Sequence, residues 1–399
     1  MTPELPFEPG GGGGRGREYF LCRRLVELGH EVLNVSPVMP DEVERADCLR
    51  DAGAENWVAV RPASPVEETL RAVAADPRVL AAAVTSPVRA LEMRVFWTRL
   101  SDLVHRAVEE WRPDVAVVGH DMATGWARGL PPVLPALVTL HNLTWHWYLS
   151  RARRASGLHA RLLRAEAARY RSYLLRQLPR FAAAACVSTN EASELASVYS
   201  GRIETIPTGV DTQLLTPAPE QDGPPRVLFT GTLSYPPNSQ GIRWFAEEVW
   251  PAVTRDLPDA RLEIVGRGPT AEVLALGERP GTTVVGPVPL MDPYFAHAHV
   301  VVVPILTGAG IRVKIVEAMA NGRAIVSTSL GWEGLPDVLP GEHLLAADDP
   351  RQFAADVVRL LRDEPARSQL AQRARELAVR DYDWRRLGDR QEALLREIA

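Results

Sequence analysis

Residues 304–335 read PILTGAGIRVKIVEAMANGRAIVSTSLGWEGL. An apolar run ends at Pro304, and a turn of small residues (Thr307, Gly308, Ala309, Gly310) leads into a segment carrying Arg312, Lys314 and Glu317. A second apolar run, AIVST, follows at 324–328. Strand, small-residue turn, helix and strand form the repeating unit of a parallel α/β sheet. The glycines allow close backbone approach, and free N–H groups at the helix start make an anion site. The helix end alone contributes about 0.3–1 kcal/mol, or roughly 2 when partly buried. A side-chain cation adds more, since a unit charge pair about 4 Å apart is worth roughly 4 kcal/mol at an effective dielectric near 20. Lys314 and Glu317 stand three apart and share one helix face. That face can present an ammonium to phosphate oxygens and a carboxylate to ribose hydroxyls; a surface Lys–Glu pair is the alternative reading.

The same alternation extends both ways. Upstream, strands are expected at 31–36, 57–61, 114–118, 136–141, 183–188 and 203–206, with a helix at 17–28. A second series falls at 226–230, 261–265, 283–285, 299–305 and 324–328, continuously apolar as buried parallel strands are. Residues 207–225 hold five prolines and read as a linker. The chain thus divides into an N-terminal Rossmann-like domain (1–206), the linker (207–225), a C-terminal Rossmann-like domain (226–372) and a terminal helical segment (373–399). One element is missing. The glycine run at Gly10–Gly14 has nine residues before it, three of them proline, which is poor material for the strand that should deliver the chain into that turn. The first strand is therefore expected to be absent, with a start codon placed too late as the explanation and a disordered glycine tail as the alternative.

Composition narrows the functional classes. The chain has 399 residues and a net charge of −5, which argues against a nucleic-acid partner held by broad phosphate neutralisation. Three scattered cysteines give neither a disulfide framework nor a zinc site, so no metal is expected. Neither a spanning run of about 18 apolar residues nor a secretory leader is present, which points to a cytoplasmic protein. Of the 45 basic residues all but Lys314 are arginine. One local excess stands out: residues 151–180 carry nine arginines against Glu166, with Leu162, Leu163, Tyr170, Leu174 and Leu178 as an apolar stripe. A basic amphipathic segment of this kind suits peripheral contact with the inner membrane face and a lipid-linked acceptor, while an arginine-rich helix packed on its own domain is the alternative.

The segment from Gly308 to Leu335 resembles the donor site of family 4 glycosyltransferases, retaining enzymes of the GT-B fold, in the branch with a G-x-G-x-R-x-K turn. Supporting pieces run through the chain in order: Gly11–Gly14 with Arg15, Leu28-Gly29-His30-Glu31-Val32, His141-Asn142, Ile206 to Asp211, Gly231-Thr232-Leu233 with Pro237-Asn238, Ile264 to Pro269, and Gly286-Pro287-Val288. The resemblance implies two facing Rossmann-like domains, with a nucleotide-diphosphate sugar bound by the second and a glycan, lipid-linked or small-molecule acceptor by the first. It also implies that the last helix crosses back to the first domain. No cofactor is implied beyond the donor as co-substrate.

Residue by residue, Glu317 matches the ribose-holding second glutamate of the family's E-x7-E motif, while the first falls on Ala309. The family's diphosphate-clamping Arg and Lys fall on Thr232 and Asn238, so Arg312 and Lys314 are left to neutralise the diphosphate. His141 matches a histidine placed near the transferred sugar, and a satisfied strand-end histidine is the alternative; His146 has a weaker claim. The candidate set is then His141, Arg312 and Lys314 for catalysis, and Gly308, Ala309, Gly310, Glu317, Gly286 and Val288 for the donor. Gly13, Gly14 and Arg15 stand as an acceptor or phosphate loop. Gly331 and Glu333 shape the site, Gly209 and Asp211 read as turn residues, and the D-x-D at 381–383 reads as a helix cap rather than a metal site. Two rivals share these motifs: a GT-B-fold epimerase, and a non-catalytic nucleotide-sugar-binding module whose Ala309, Thr232 and Asn238 record decay.

Overall fold

The structure, a computed structural model, describes residues 1–6, 13–45, 47–60, 65–75, 79, 87–219, 223–308 and 312–399. It has two compact units, residues 1–208 with 384–399, and residues 209–383.

The second unit is a six-stranded, all-parallel sheet built from β7 (Arg226–Thr230), β8 (Arg261–Val265), β9 (Thr282–Gly286), β10 (Val300–Val303), β11 (Ala324–Ser327) and β12 (Leu345–Ala346). Its order is β12-β11-β10-β7-β8-β9. The valine-rich strands alternate between two cores. Val227, Phe229, Val300 and Val302 face one, with Ile242 and Phe245; Leu228, Val301 and Val303 face the other, with Ile315, Val316 and Met319. This is the doubly wound arrangement, in which the connections of β7 and β10 depart to opposite faces and open a crevice at their carboxyl ends.

The first unit carries a parallel pair, β1 (Leu33–Val38) with β2 (Glu55–Val60), and a parallel four-stranded sheet, β3 (Ala116–Gly119), β4 (Ala136–Leu140), β5 (Ala183–Cys186) and β6 (Arg202–Thr205). No strand precedes β1 among the described residues. Met1 and Thr2 lie in the slot between the two sheets: the Gly119 N–H donates to Met1 O (2.8 Å) and the Thr2 N–H to Val35 O (3.2 Å). The helix Gly13–Glu27 packs Tyr19, Phe20, Leu21 and Leu25 against Leu137, Ala183 and Ala185, and against Trp384, Leu387 and Leu394 of the terminal helix Trp384–Ile398. Phe20 and Trp384 stack with ring centroids 5.4 Å apart.

Three expectations need correction. Gly13, Gly14 and Arg15 are helical, not a turn; Gly10, Gly11 and Gly12 lie outside the described residues. Packing of the apolar face further along the helix outweighs the glycines' low helical propensity. The unit boundaries fall after Thr208 and Asp383 rather than at 206 and 372. Val210 is buried and its N–H donates to Tyr382 O (2.9 Å), and Arg375 donates to Leu215 O (2.7 Å), so the start of the expected linker, residues 207–212, is packed chain. Finally, Leu163, Tyr170, Leu174 and Leu178 of the supposed stripe are core residues, and only Leu162 of that set is exposed.

The helix Pro236–Trp244 sits close over the end of β10: a Cβ on Gly241 would meet Pro304 O at 2.1 Å. Backbone cannot yield as a side chain can. Gly241→Ala is expected to cost about 3 kcal/mol, at the upper end for overpacking, measured by urea denaturation.

Candidate functional site

The carboxyl ends of β7 and β10 bring together residues far apart in sequence. After β7 the chain turns at Gly231, and a Cβ there would lie 2.7 Å from Asn238 Nδ2 and 2.8 Å from Lys314 Nζ. Asn238 belongs to the helix Pro236–Trp244, begun by two prolines whose fixed φ suits a helix start. After β10 the loop passes Gly308, whose φ of +106° favours glycine, and reaches Arg312, the residue before the helix Val313–Ala320. A Cβ on Gly308 would lie 3.1 Å from the Arg312 guanidinium. The two helices lie on opposite faces of the sheet, and Lys314 reaches past the strand ends to join them.

Lys314 is buried, and its ammonium donates to Asn238 Oδ1 (2.9 Å) and lies 4.3 Å from the Phe229 ring centroid. No carboxylate among the described residues pairs with it. Burial, with the Arg312 charge adding to it, brings its pKa down to about 7 against the pull of Glu317. The surface Lys–Glu pair does not form: Glu317 is half-buried on the same helix, and burial raises its carboxyl. An uncompensated buried ammonium is costly unless an anion is brought to it. The amide of Asn238 meets this ammonium, so a cation stands against the residue on which the resemblance places the family's clamping lysine.

Other predicted residues are more dispersed. Ala309 and Gly310 lie outside the described residues. Gly286 ends β9 at φ +82° and accepts the Gly266 N–H (2.8 Å); Val288 is half-buried against the core. Gly331 is packed so closely that a Cβ would meet Val303 O at 2.7 Å. Asp211 accepts from the backbone N–H of Gln213 (2.9 Å), and Asp383 from that of Thr212 (3.1 Å), both within the packed crossover.

In the first unit His141 follows β4. Its Nε2 lies 2.5 Å from Glu18 Oε1, which also accepts from Thr139 Oγ1 (3.1 Å). Burial works against ionising Glu18, yet bonds from His141 and Thr139 and the neighbouring Arg17 hold its carboxyl down to about 2. Burial lowers His141, with His120 and Arg17 acting the same way. His146 instead pairs with Glu194, 2.7 Å away. Sequence reasoning passed over His120 and Asp121, which stand directly after β3 as His141 does after β4. A polar residue ending an apolar strand was the available signal. His120 has φ +74° and ψ 142°, a region open in practice only to glycine, at a cost of about 1–3 kcal/mol.

Residues 12–214 match the model of Glycosyltransferase Family 4, and residues 224–363 that of Glycosyl transferases group 1. The chain is 33% identical over 196 residues to a phosphatidyl-myo-inositol mannosyltransferase of Mycolicibacterium smegmatis, covering 45% of this chain and 48% of that protein. It is 30% identical over 165 residues to an uncharacterized 44.6 kDa protein in the cps region of Klebsiella pneumoniae, covering 39% and 42%. The matches thus span about half the length of these relatives or less. Among solved structures, sucrose-phosphate synthase from Thermosynechococcus elongatus superposes with a TM-score of 0.70 at 18% identity, over 99% of this chain and 98% of that one. Anabaena HepE in complex with UDP gives 0.66 at 14%, over the whole of both. These likenesses establish the GT-B type of fold.

Lysine burial has a thermodynamic signature. Lys314 is charged in the unfolded chain up to a pH of about 10.4 but loses its proton near pH 7 when folded. Between those values the unfolded state binds more protons, so stability rises with pH; below them the full cost of the buried charge is present. Lys314→Met should therefore stabilise the ligand-free protein most at pH 6, with the gain shrinking toward pH 10, in melts across that range. On the family match over half its length, the chain belongs to glycosyltransferase family 4.

Proposed function

We propose that the protein is a retaining glycosyltransferase that binds a nucleotide-diphosphate sugar in its second unit and an acceptor in its first. The observation that carries this reading is the buried Lys314 ammonium with no carboxylate partner among the described residues, at the crevice where a doubly wound sheet takes its ligand. Arg312 stands at the start of the same helix, so two cations and the helix N-terminus converge where a diphosphate would place its charge. Glu317, one turn further on, is the candidate for the ribose hydroxyls. Bond cleavage transfers negative charge to the departing diphosphate, and preorganised cations stabilise that charge. Retention of anomeric configuration follows the family resemblance. UDP in the HepE structure supports a nucleotide diphosphate, and the mannosyltransferase relatives support a hexose and a lipid-linked polyol acceptor.

Incubation with a panel of nucleotide sugars, followed by nucleotide release, tests the reading. Transfer or slow donor hydrolysis supports it; epimer interconversion supports an epimerase, and binding without turnover a binding module. Lys314→Ala is expected to lower kcat by about 10²–10³, the scale for one preorganised stabilising contact. Lys314→Arg should restore only part, because a planar fork does not replace a compact ammonium. Unchanged kcat at saturating donor would remove Lys314 from the mechanism.

The arginine-rich segment supports a narrower proposal of peripheral contact with an anionic bilayer. Leu158 and Leu162 are exposed on the helix Gly157–Gln177, with Arg161 and Arg164 exposed beside them. Joint replacement of both arginines by Glu should reduce co-sedimentation with phosphatidylglycerol vesicles and leave donor hydrolysis unchanged; equal retention on neutral phosphatidylcholine vesicles would overturn the electrostatic contact.

A further inference from the structure

The carboxyl edge of the four-stranded sheet of the first unit holds a second cluster, built around His141. His120 directly follows β3 and His141 directly follows β4, and their rings lie 5.2 Å apart between centroids, inclined at 54°. Each imidazole has a carboxylate against it: His120 Nδ1 is 2.6 Å from Asp121 Oδ1, and His141 Nε2 is 2.5 Å from Glu18 Oε1. Accessibility is graded across both pairs. The His120 and His141 side chains are 17% and 12% exposed, while Asp121 and Glu18 behind them are 0% and 7% exposed. Carboxylates inside and imidazole edges outward is the order in which a buried acid orients a histidine toward a ligand.

The support beneath them is over-determined. The His120 N–H donates to Thr139 O (2.7 Å), and Asp121 Oδ2 accepts the Thr144 N–H (3.0 Å). Thr124 Oγ1 donates to Asp121 O (2.7 Å). These bonds hold His120 in a backbone conformation that glycine would adopt without penalty. The imidazole also caps the helix Asp121–Gly129, its Nδ1 accepting the Met122 N–H (3.4 Å), which leaves Nε2 for a ligand. Strain of this kind, kept in place by its surroundings, points to a side chain needed for a ligand.

We propose that His120 is an acceptor-binding residue, which with His141 forms a two-imidazole pocket for the hydroxyl groups of a polyol or sugar, Asp121 and Glu18 being positioning residues. The ligand class follows from the chemistry: an imidazole engaged on one nitrogen, His120 Nδ1 by the Met122 N–H and His141 Nε2 by Glu18, offers its other nitrogen to a hydroxyl. Two such imidazoles, with ring centroids 5.2 Å apart, suit neighbouring hydroxyls on one ring better than a single charged group. The proposal rests on the reading of the first unit as the acceptor side.

His120→Gly is the decisive variant, because glycine accepts the positive φ and removes only the ring. The full chain is compared as wild type, His120→Gly and His141→Asn. Three measurements are made: the thermal midpoint, UDP and GDP affinity, and imidazole C2–H shifts during titration with myo-inositol and methyl α-mannopyranoside. In the wild type both histidines should respond to at least one polyol. His120→Gly should keep or raise the midpoint and keep nucleotide affinity within about twofold. It should also weaken the polyol response at His141 by about tenfold or more, the scale of one lost hydrogen bond to a ligand. The proposal is overturned by wild-type polyol binding in His120→Gly, by a loss that tracks a fallen midpoint, or by no response at either histidine in the wild type. Failure of UDP and GDP to bind the wild type would instead overturn the donor reading, whatever the histidines do.

Discussion

Two parallel strands that run side by side and then part to opposite faces create the constraint on which the second unit depends. At the carboxyl ends of β7 and β10 the backbone leaves a crevice that no regular element can fill. Everything nearby is shaped by how closely the chain can be brought to that point. Gly231 leaves room for an amide and an ammonium, Gly241 lets its helix lie on Pro304, and Gly308 lets a guanidinium lie over the loop. Small residues thus set the geometry, and the charged ones occupy what the small ones leave open.

The charge placed there is unusual for a protein interior. A buried ammonium is ordinarily matched by a carboxylate, and here its partners among the described residues are an amide oxygen and an aromatic face. Both stabilise a cation weakly compared with an anion. The site is therefore organised at some cost to the empty protein and better suited to one holding a polyanionic group. Replacing Lys314 by an apolar residue and losing function would be two sides of one arrangement.

Much of the architecture was legible because its signals are local. Val300–Val303 and Arg226–Thr230 read as buried strands from composition alone, and the isolated lysine drew attention to its turn. What stayed hidden depends on the third dimension. The contact of Lys314 with Asn238 joins residues 76 apart in the chain, so Asn238 looked like a loss when it is the amide that receives the relocated cation. Gly13 and Gly14 became helical through packing of Tyr19 to Leu25 on the terminal helix, which no local propensity records. His120 was passed over because its distinguishing property is a backbone angle, which leaves in the sequence only a polar residue after an apolar strand. The two-residue strand β12 was too short to register as a pattern.

The burial of Lys314 also makes it a built-in spectroscopic reporter. No other side-chain amine exists in the 399 residues, so reductive methylation with a ¹³C label would place one side-chain resonance beside that of the chain's own amino end. The amine lies 4.3 Å from the Phe229 ring centroid, within range of its ring current. A displaced, titrating methyl signal would then follow the charge state of the crevice in real time, in a protein whose forty-four arginines stay silent.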